Sequence, residues 1–271
     1  MDMLKVGTTP FLNAKPIAYG LERGLAAGRF ELESHAPARN AELLTAEEPS
    51  LDLAIIPSIE YARHDDLWIV PGIAIASRGE VLSVQLYTGK PVDKVKTIAV
   101  DARSRTSVAL LQILCSEYYN IEPELKPMEP EPAKMLKECD AALVIGDDAL
   151  YTRIESEEKH DLGATWCELT GQPFVYAFWA GAAGALDSDD VDLLLRSLQE
   201  GLLNVHKIAS NHPTPKGLSI ENPAELNERY LSEHIRYSFG EAELTGLKLF
   251  FIKAWEQGLI DGVPRLRFYE G

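Results

Sequence analysis

Ser83-Val84-Gln85-Leu86-Tyr87 and Phe174-Val175-Tyr176-Ala177-Phe178-Trp179 are the stretches on which the fold reading turns. The first alternates apolar Val84 and Leu86 with polar Ser83 and Gln85, the period-two pattern of a strand. The second is an aromatic-rich run suited to packing within a sheet. Between them lies a segment about the length of a small domain. The expected organisation is therefore two α/β lobes, with residues 1–87 and 177–271 forming a discontinuous first lobe and residues 88–176 the second. In such architectures ligands sit in the cleft between lobes, at the carboxyl ends of strands and the starts of helices.

Working outward, a strand–loop–helix order recurs. Leu4-Lys5-Val6-Gly7 reads as a first strand, Thr8 to Asn13 as a loop, and Pro16 to Glu22 as a helix, with Pro16 in the first turn. Leu51 to Ile56 is a strand stopped by Pro57, after which Ser58 opens a short helix through Arg63. Val70 to Ala76, Lys96 to Val100 and Ala141 to Ile145 are further strands. Ser104-Arg105-Thr106-Ser107 leads into a helix whose Val108, Leu111, Cys115 and Tyr118 share one apolar face. Val191 to Ile208 and Gly240 to Gly258 read as long helices.

Composition narrows the function. The 271 residues are 46% hydrophobic, enough for a substantial core. Forty-two acidic against 26 basic residues leave a formal charge of −16, which repels polyanions, so neither a nucleic acid nor an anionic membrane is an expected partner. A small anion held by a few local donors is compatible with that balance. The first residues lack the basic and apolar regions of a secretory signal, and no apolar stretch is long enough to span a bilayer, so a cytoplasmic location is expected. Cys115, Cys139 and Cys167 are widely spaced and read as reduced thiols.

The strand-end loops supply the candidate site. Ser104, Arg105, Thr106 and Ser107 combine hydroxyls, a guanidinium and the free N–H groups of a helix start, with Arg103 beside them. That set suits a carboxylate or phosphate, and equally an ordinary N-cap with solvent-facing arginines. Ser58 carries the same two readings. Ser77-Arg78-Gly79 is a turn whose glycine would let backbone approach a ligand, and Asn13 is either an Asx turn or an amide aimed into a cleft. Asp147-Asp148, after Gly146, are the most plausible carboxylates for proton transfer, or else solvated loop acids. The six histidines show no metal-ligand spacing, and none abuts these loops in sequence. Serine-hydrolase, zincin, P-loop and dinucleotide motifs are lacking.

Taken together, Phe11-Leu12-Asn13-Ala14-Lys15-Pro16, Ile56-Pro57-Ser58-Ile59-Glu60-Tyr61, Ser77 to Val84, Ser104 to Leu110, Gly171 to Ala177 and Gly258-Leu259-Ile260 resemble the menaquinone biosynthesis family of the futalosine route, chorismate dehydratase branch. The resemblance runs in order along nearly the whole chain. It implies a two-lobed, periplasmic-binding-protein-like type II α/β fold, each lobe a mixed sheet flanked by helices, used as an enzyme. The implied reaction removes water from chorismate, giving 3-[(1-carboxyvinyl)oxy]benzoate. Orientation, carboxylate clamps and help with one proton suffice for it, so no cofactor and no metal are expected.

Carried onto this chain, the resemblance makes Asn13 the catalytic residue. Arg105, Thr106 and Ser107, with Ser104, clamp a carboxylate, while Ser58 and Ser77 supply donors from the other lobe and Arg78 and Gly146 complete the substrate-binding set. The substrate, a small dianion, then requires a positive island made by Arg105 and the helix start, with Arg78 or Lys15 as further contributors. The substrate's own enolpyruvyl carboxylate is a candidate base. Two other readings stay open: a cyclic dehypoxanthinylfutalosine synthase-like sister enzyme, and a small-anion solute-binding protein. The sister branch carries an Asn-Asp-Thr-type first loop and a histidine after the strand at 141–145, where this chain has Asn13-Ala14-Lys15 and Gly146.

Overall fold

A computed structural model describes residues 3–101, 104–214 and 220–271. Its strands are β1 (Leu4–Thr8), β2 (Phe30–Ser34), β3 (Leu53–Pro57), β4 (Leu67–Ser77), β5 (Val84–Thr88), β6 (Thr97–Asp101), β7 (Glu124–Met128), β8 (Ala141–Ile145), β9 (Glu158–Asp161), β10 (Phe174–Ala182) and β11 (Arg236–Phe239). One sheet has the order β11-β4-β10-β3-β1-β2 and the other β7-β6-β8-β5-β9. Within the first, β1 runs parallel to β2 and β3, and β10 is antiparallel to β3 and β4. Within the second, β6 is parallel to β7 and β8, and β5 is antiparallel to β8 and β9. Both sheets are mixed, as expected.

Burial explains which strands occupy the middle. All five residues of β3 and of β5 are buried, and β10 is buried except at its last residue. Phe174 of β10 packs edge-on against Trp166 and Phe250, both ring centroids within 5.2 Å, which anchors that strand to the helices Leu162–Thr170 and Glu241–Glu256.

The chain passes between the sheets at residues 78–83 and again through the helix Leu162–Thr170. Expected breaks at 87/88 and 176/177 fall inside strands: Tyr87 pairs with Ala142 and Lys159 in the second sheet, and Phe174 and Val175 pair with Ser77 and Ala76 in the first. Polar pairing rather than apolar pattern marks the crossings. The Asp161 carboxylate accepts N–H bonds from Val81 and Leu82 on one crossing and from Gly163 and Ala164 at the start of the other, at 2.8–3.0 Å. Leu82 has φ +60°, a conformation unusual for a branched residue and held by this carboxylate.

Two helices are shorter than their sequence patterns suggest. The one expected over 16–22 is α-helical only at Lys15–Ala18, because the N–H groups of Gly20 and Leu21 donate to the buried Ser197 hydroxyl. The helix expected over 191–208 breaks at Asn204, giving Ser188–Leu203 and Val205–Asn211. Cys115 and Cys139 are buried and Cys167 partly so; all three are free thiols, and burial pushes the Cys115 thiol up to about 12. Among the described residues, no helix is long and apolar enough to cross a membrane.

Candidate active site

A cavity with about 610 Å³ of atom-free space, its open mouth included, lies between the two sheets. Its wall is contributed by the carboxyl ends of parallel strands: Thr9 after β1, Pro57 ending β3, Ser104 after β6, and Ile145 with Gly146 at the end of β8. Tyr176 and Ala177 of β10 and Ser83 before β5 close its inner side. Apolar walls with a few polar groups are typical of small-molecule sites.

Asn13 lines the cavity from a short helical turn, Leu12–Ala14. The loop is fixed from the second sheet: Asp147 Oδ1 accepts the Leu12 N–H at 3.1 Å, and Asp147 Oδ2 lies 2.8 Å from His212 Nε2. Asp147 therefore holds the Asn13 loop from outside the cavity, and it does not line the cavity. His212 is a residue the sequence reading passed over, since 65 positions separate it from Asp147. Asn13 also reaches the buried Tyr230 hydroxyl, which donates to Ser83 Oγ at 2.7 Å.

Across the cavity, the helix Arg105–Glu117 opens with Ser104 at its N-cap position and no side-chain cap bond. Ser104, Thr106 and Ser107 line the cavity together with Arg105. Thr106 Oγ1 accepts the Ile59 N–H at 3.2 Å, so the helix start is tied to the other sheet's elements instead of capping itself. The positive end of the helix thus borders the space, an arrangement that favours an anion. Arg103 lies outside the described residues.

Arg105 is not the free clamp that the sequence suggested. Its Nη1 donates to Glu60 at 2.8 Å and its Nη2 to Glu42 at 2.6 Å, and the Glu60 side chain is only 3% exposed. Glu60 also accepts from Arg63 at 2.7 Å. The guanidinium thus braces the second sheet's helix against the Pro37–Leu44 and Ser58–Tyr61 helices of the first while still lining the cavity. The expected positive island is correspondingly weaker. Arg78 is exposed and outside the cavity, and Lys15 pairs with Glu22 at 2.9 Å. What the cavity offers an anion is mainly hydroxyls and a helix start.

Ser58 and Ser77 sit behind the lining. Ser58 Oγ donates to the Val175 carbonyl at 2.7 Å, with no exposure, so it neither caps its helix nor faces a ligand. Ser77 Oγ bonds the Tyr176 hydroxyl at 2.9 Å and so orients a residue that does line the cavity. Burial holds the Tyr176 phenol well above the usual tyrosine range, keeping it protonated. Gly146 lines the cavity: its φ of +61° lets the chain turn from β8 into the helix Gly146–Tyr151, and a Cβ there would meet the Phe11 ring at 3.0 Å. Among the described residues Arg105 and Tyr176 are the ionisable groups of the wall, and no carboxylate belongs to it. Nor do any three described His, Cys, Asp or Glu residues cluster as metal ligands.

A family model for menaquinone biosynthesis matches residues 4–256. The chain belongs to the menaquinone biosynthesis family. The resemblance carried by the Phe11–Pro16, Ile56–Tyr61 and Ser104–Leu110 motifs is thereby borne out. Relatives of this family member include the chorismate dehydratase of Thermus thermophilus, 28% identical over 90% of this chain and 93% of that protein. The chorismate dehydratase of Campylobacter jejuni is 30% identical over 90% of this chain and 94% of its own length. The periplasmic aliphatic sulphonate binding protein of Escherichia coli shares the fold, with a TM-score of 0.68 at 14% identity, covering 100% of this chain and 94% of that one. The fold of this menaquinone biosynthesis protein is therefore periplasmic-binding-protein-like, as its sequence implied.

Proposed function

We propose that the chain is a chorismate dehydratase of menaquinone biosynthesis, a hydro-lyase acting in the cytoplasm, and that the cavity between the sheets is its active site. The two sheets with their helices then act as two lobes around the substrate. The observation that carries the site assignment is the acid-free wall: hydroxyls, a helix start, the Asn13 amide and one guanidinium face the space, and no described carboxylate repels a dianion there.

The reaction asks little more of the protein. In chorismate the ring carbon bearing the enolpyruvyl ether carries a hydrogen γ to the ring carboxylate through a double bond. Its removal places the electron pair in a vinylogous enolate, which expels the neighbouring hydroxyl; with the abstracted proton this accounts for one water, and the ring becomes aromatic. Donors aimed at the ring carboxylate stabilise the enolate as its charge develops. The helix start at Ser104 to Ser107 fills that role, with Arg105, paired to Glu60 and Glu42, beside it on the cavity wall.

Asn13, which lines the cavity, then holds the substrate's other end or its leaving hydroxyl. A protonated Tyr176 and a paired Arg105 make poor bases. The enolpyruvyl carboxylate of the substrate is the base that remains, taking the proton from the carbon next to its own ether oxygen.

The test is incubation of purified protein with chorismate, following the absorbance of an aromatic benzoate. Formation of 3-[(1-carboxyvinyl)oxy]benzoate is expected, and Asn13→Ala should lower kcat by about 100-fold or more, on the scale of losing a group that acts in the transition state. Chorismate binding without product would make the chain a receptor and refute the enzyme reading. Unchanged turnover in Asn13→Ala would remove Asn13 from the mechanism.

A further inference from the structure

Thr9 ends the first loop's approach to the cavity and has no role in the chemistry described so far. It is 2% exposed, and its hydroxyl has no hydrogen-bond partner. Five other buried side-chain atoms of the described residues also lack a partner: Asn40 Oδ1, Trp179 Nε1 and the hydroxyls of Tyr87, Thr88 and Tyr237. Of the six, Thr9 is the one that lines the cavity. The contrast with its neighbour is local, since Thr8 Oγ1 donates to the Glu33 carbonyl at 3.1 Å.

A buried hydroxyl without a partner destabilises the protein, because it loses its bonds to water and gains nothing in exchange. Valine has nearly the same shape and would fill position 9 without that loss. The hydroxyl is therefore a cost to the folded chain by itself, and it becomes favourable only if something entering the cavity bonds to it. With no described carboxylate in the wall, what enters is an acceptor of hydrogen bonds, and a hydroxyl can donate one. Thr9 and Asn13 lie on one loop, across the cavity from the helix start at Ser104 to Ser107.

We propose that Thr9 is a substrate-binding residue of this cavity, its hydroxyl donating to an oxygen of the bound dianion at the Asn13 end while the helix start holds the opposite carboxylate. This rests on the chorismate reading for the identity of the ligand, though not for the orphaned hydroxyl itself.

The experiment compares wild type, Thr9→Val and Thr9→Ser by two measurements: thermal melting without ligand, and kcat/KM on chorismate. Thr9→Val should melt about 1–3 °C higher, because the unsatisfied group is gone. It should also lose about ten-fold or more in kcat/KM, the scale of one hydrogen bond to a charged group. Thr9→Ser keeps the hydroxyl and should stay within roughly three-fold of wild type, since only a methyl group is lost. A lower melting temperature in Thr9→Val would mean that the hydroxyl is bonded within the protein, and an unchanged kcat/KM that it is not bonded to substrate; either overturns the inference. Wild-type protein without turnover would instead overturn the chorismate reading, and chorismate as the partner of Thr9 with it, while the melting comparison would still decide whether the hydroxyl is orphaned.

Discussion

Removing the Asp147 carboxylate should loosen the loop that carries Asn13, and the size of the effect follows from what it holds. Asp147→Ala leaves two donors without an acceptor: the N–H of Leu12, a residue with no exposure, at 3.1 Å, and the ring of His212, whose side chain is 4% exposed, at 2.8 Å. Each buried group stripped of its partner costs about 1–3 kcal/mol. The carboxylate is itself 24% exposed, so water can reach part of the vacated space, and the sum settles at roughly 2–4 kcal/mol. For a chain of this size that lowers Tm by about 5–10 °C.

His212→Ala removes one of the two bonds, and the double variant supplies the coupling. A thermodynamic cycle on wild type and the three variants, read by urea unfolding, should give about 1–2 kcal/mol between Asp147 and His212. Asp147→Asn separates the contributions, because its amide oxygen can still accept from Leu12 while its NH₂ group faces His212. It should fall between wild type and alanine in stability. Activity should follow the loop: a displacement of Asn13 by an ångström is enough to cost about 100-fold in kcat/KM. Melting of Asp147→Ala within about 1 °C of wild type, together with a coupling below about 0.3 kcal/mol, would refute the reasoning.

Gly146→Ala should lower Tm by roughly 3–6 °C and raise KM, since a residue with a Cβ pays about 1–2 kcal/mol at φ +61° and the added carbon, 3.0 Å from the Phe11 ring, pushes that ring into the cavity. Melting curves and Michaelis plots check both halves. Asp190 gives a pH signature. Burial pushes its carboxyl up, but the Arg29 bonds at 2.7 and 2.5 Å and the Asp187 N–H outweigh that and hold it below the usual range. A lowered folded-state value means its stabilisation is full above the ordinary Asp range near pH 4 and is lost as pH falls through the folded value. The stability gap between wild type and Asp190→Asn should be constant over about pH 5–8 and close below about pH 4, as urea melts across pH will show.

The strands read correctly from sequence differ in their place in the sheet from those that were not read. β3, β5, β6, β8 and β10 are inner strands, flanked on both sides, and their apolar runs reflect it. β2, β7, β9 and β11 are the four sheet edges, with sequences such as Glu-Leu-Lys-Pro-Met and Glu-Lys-His-Asp. An edge strand has one neighbour and much solvent, so its residues carry charge and the period-two signal fades. The interruption at Gly20 is illegible for another reason: it depends on the N–H bonds that Gly20 and Leu21 donate to Ser197 Oγ, more than 170 positions away, which only the folded chain supplies.

Sequence by itself determined the α/β class, the strand-end loops at Asn13, Ser104 to Ser107 and Gly146, and the family, because apolar periodicity and ordered motifs are local along the chain. Tertiary structure decided what each polar side chain does. Ser58 turned inward to Val175, Ser77 to Tyr176, and Arg105 to Glu60 and Glu42, partners 45 to 117 positions away. Asp147 and His212 became the fastening of the Asn13 loop in the same way. A hydroxyl or guanidinium has several possible partners and the local sequence ranks none of them. Only the packing of the two sheets fixes which partners come within reach, and hence which donors, Thr9 among them, are left for a ligand.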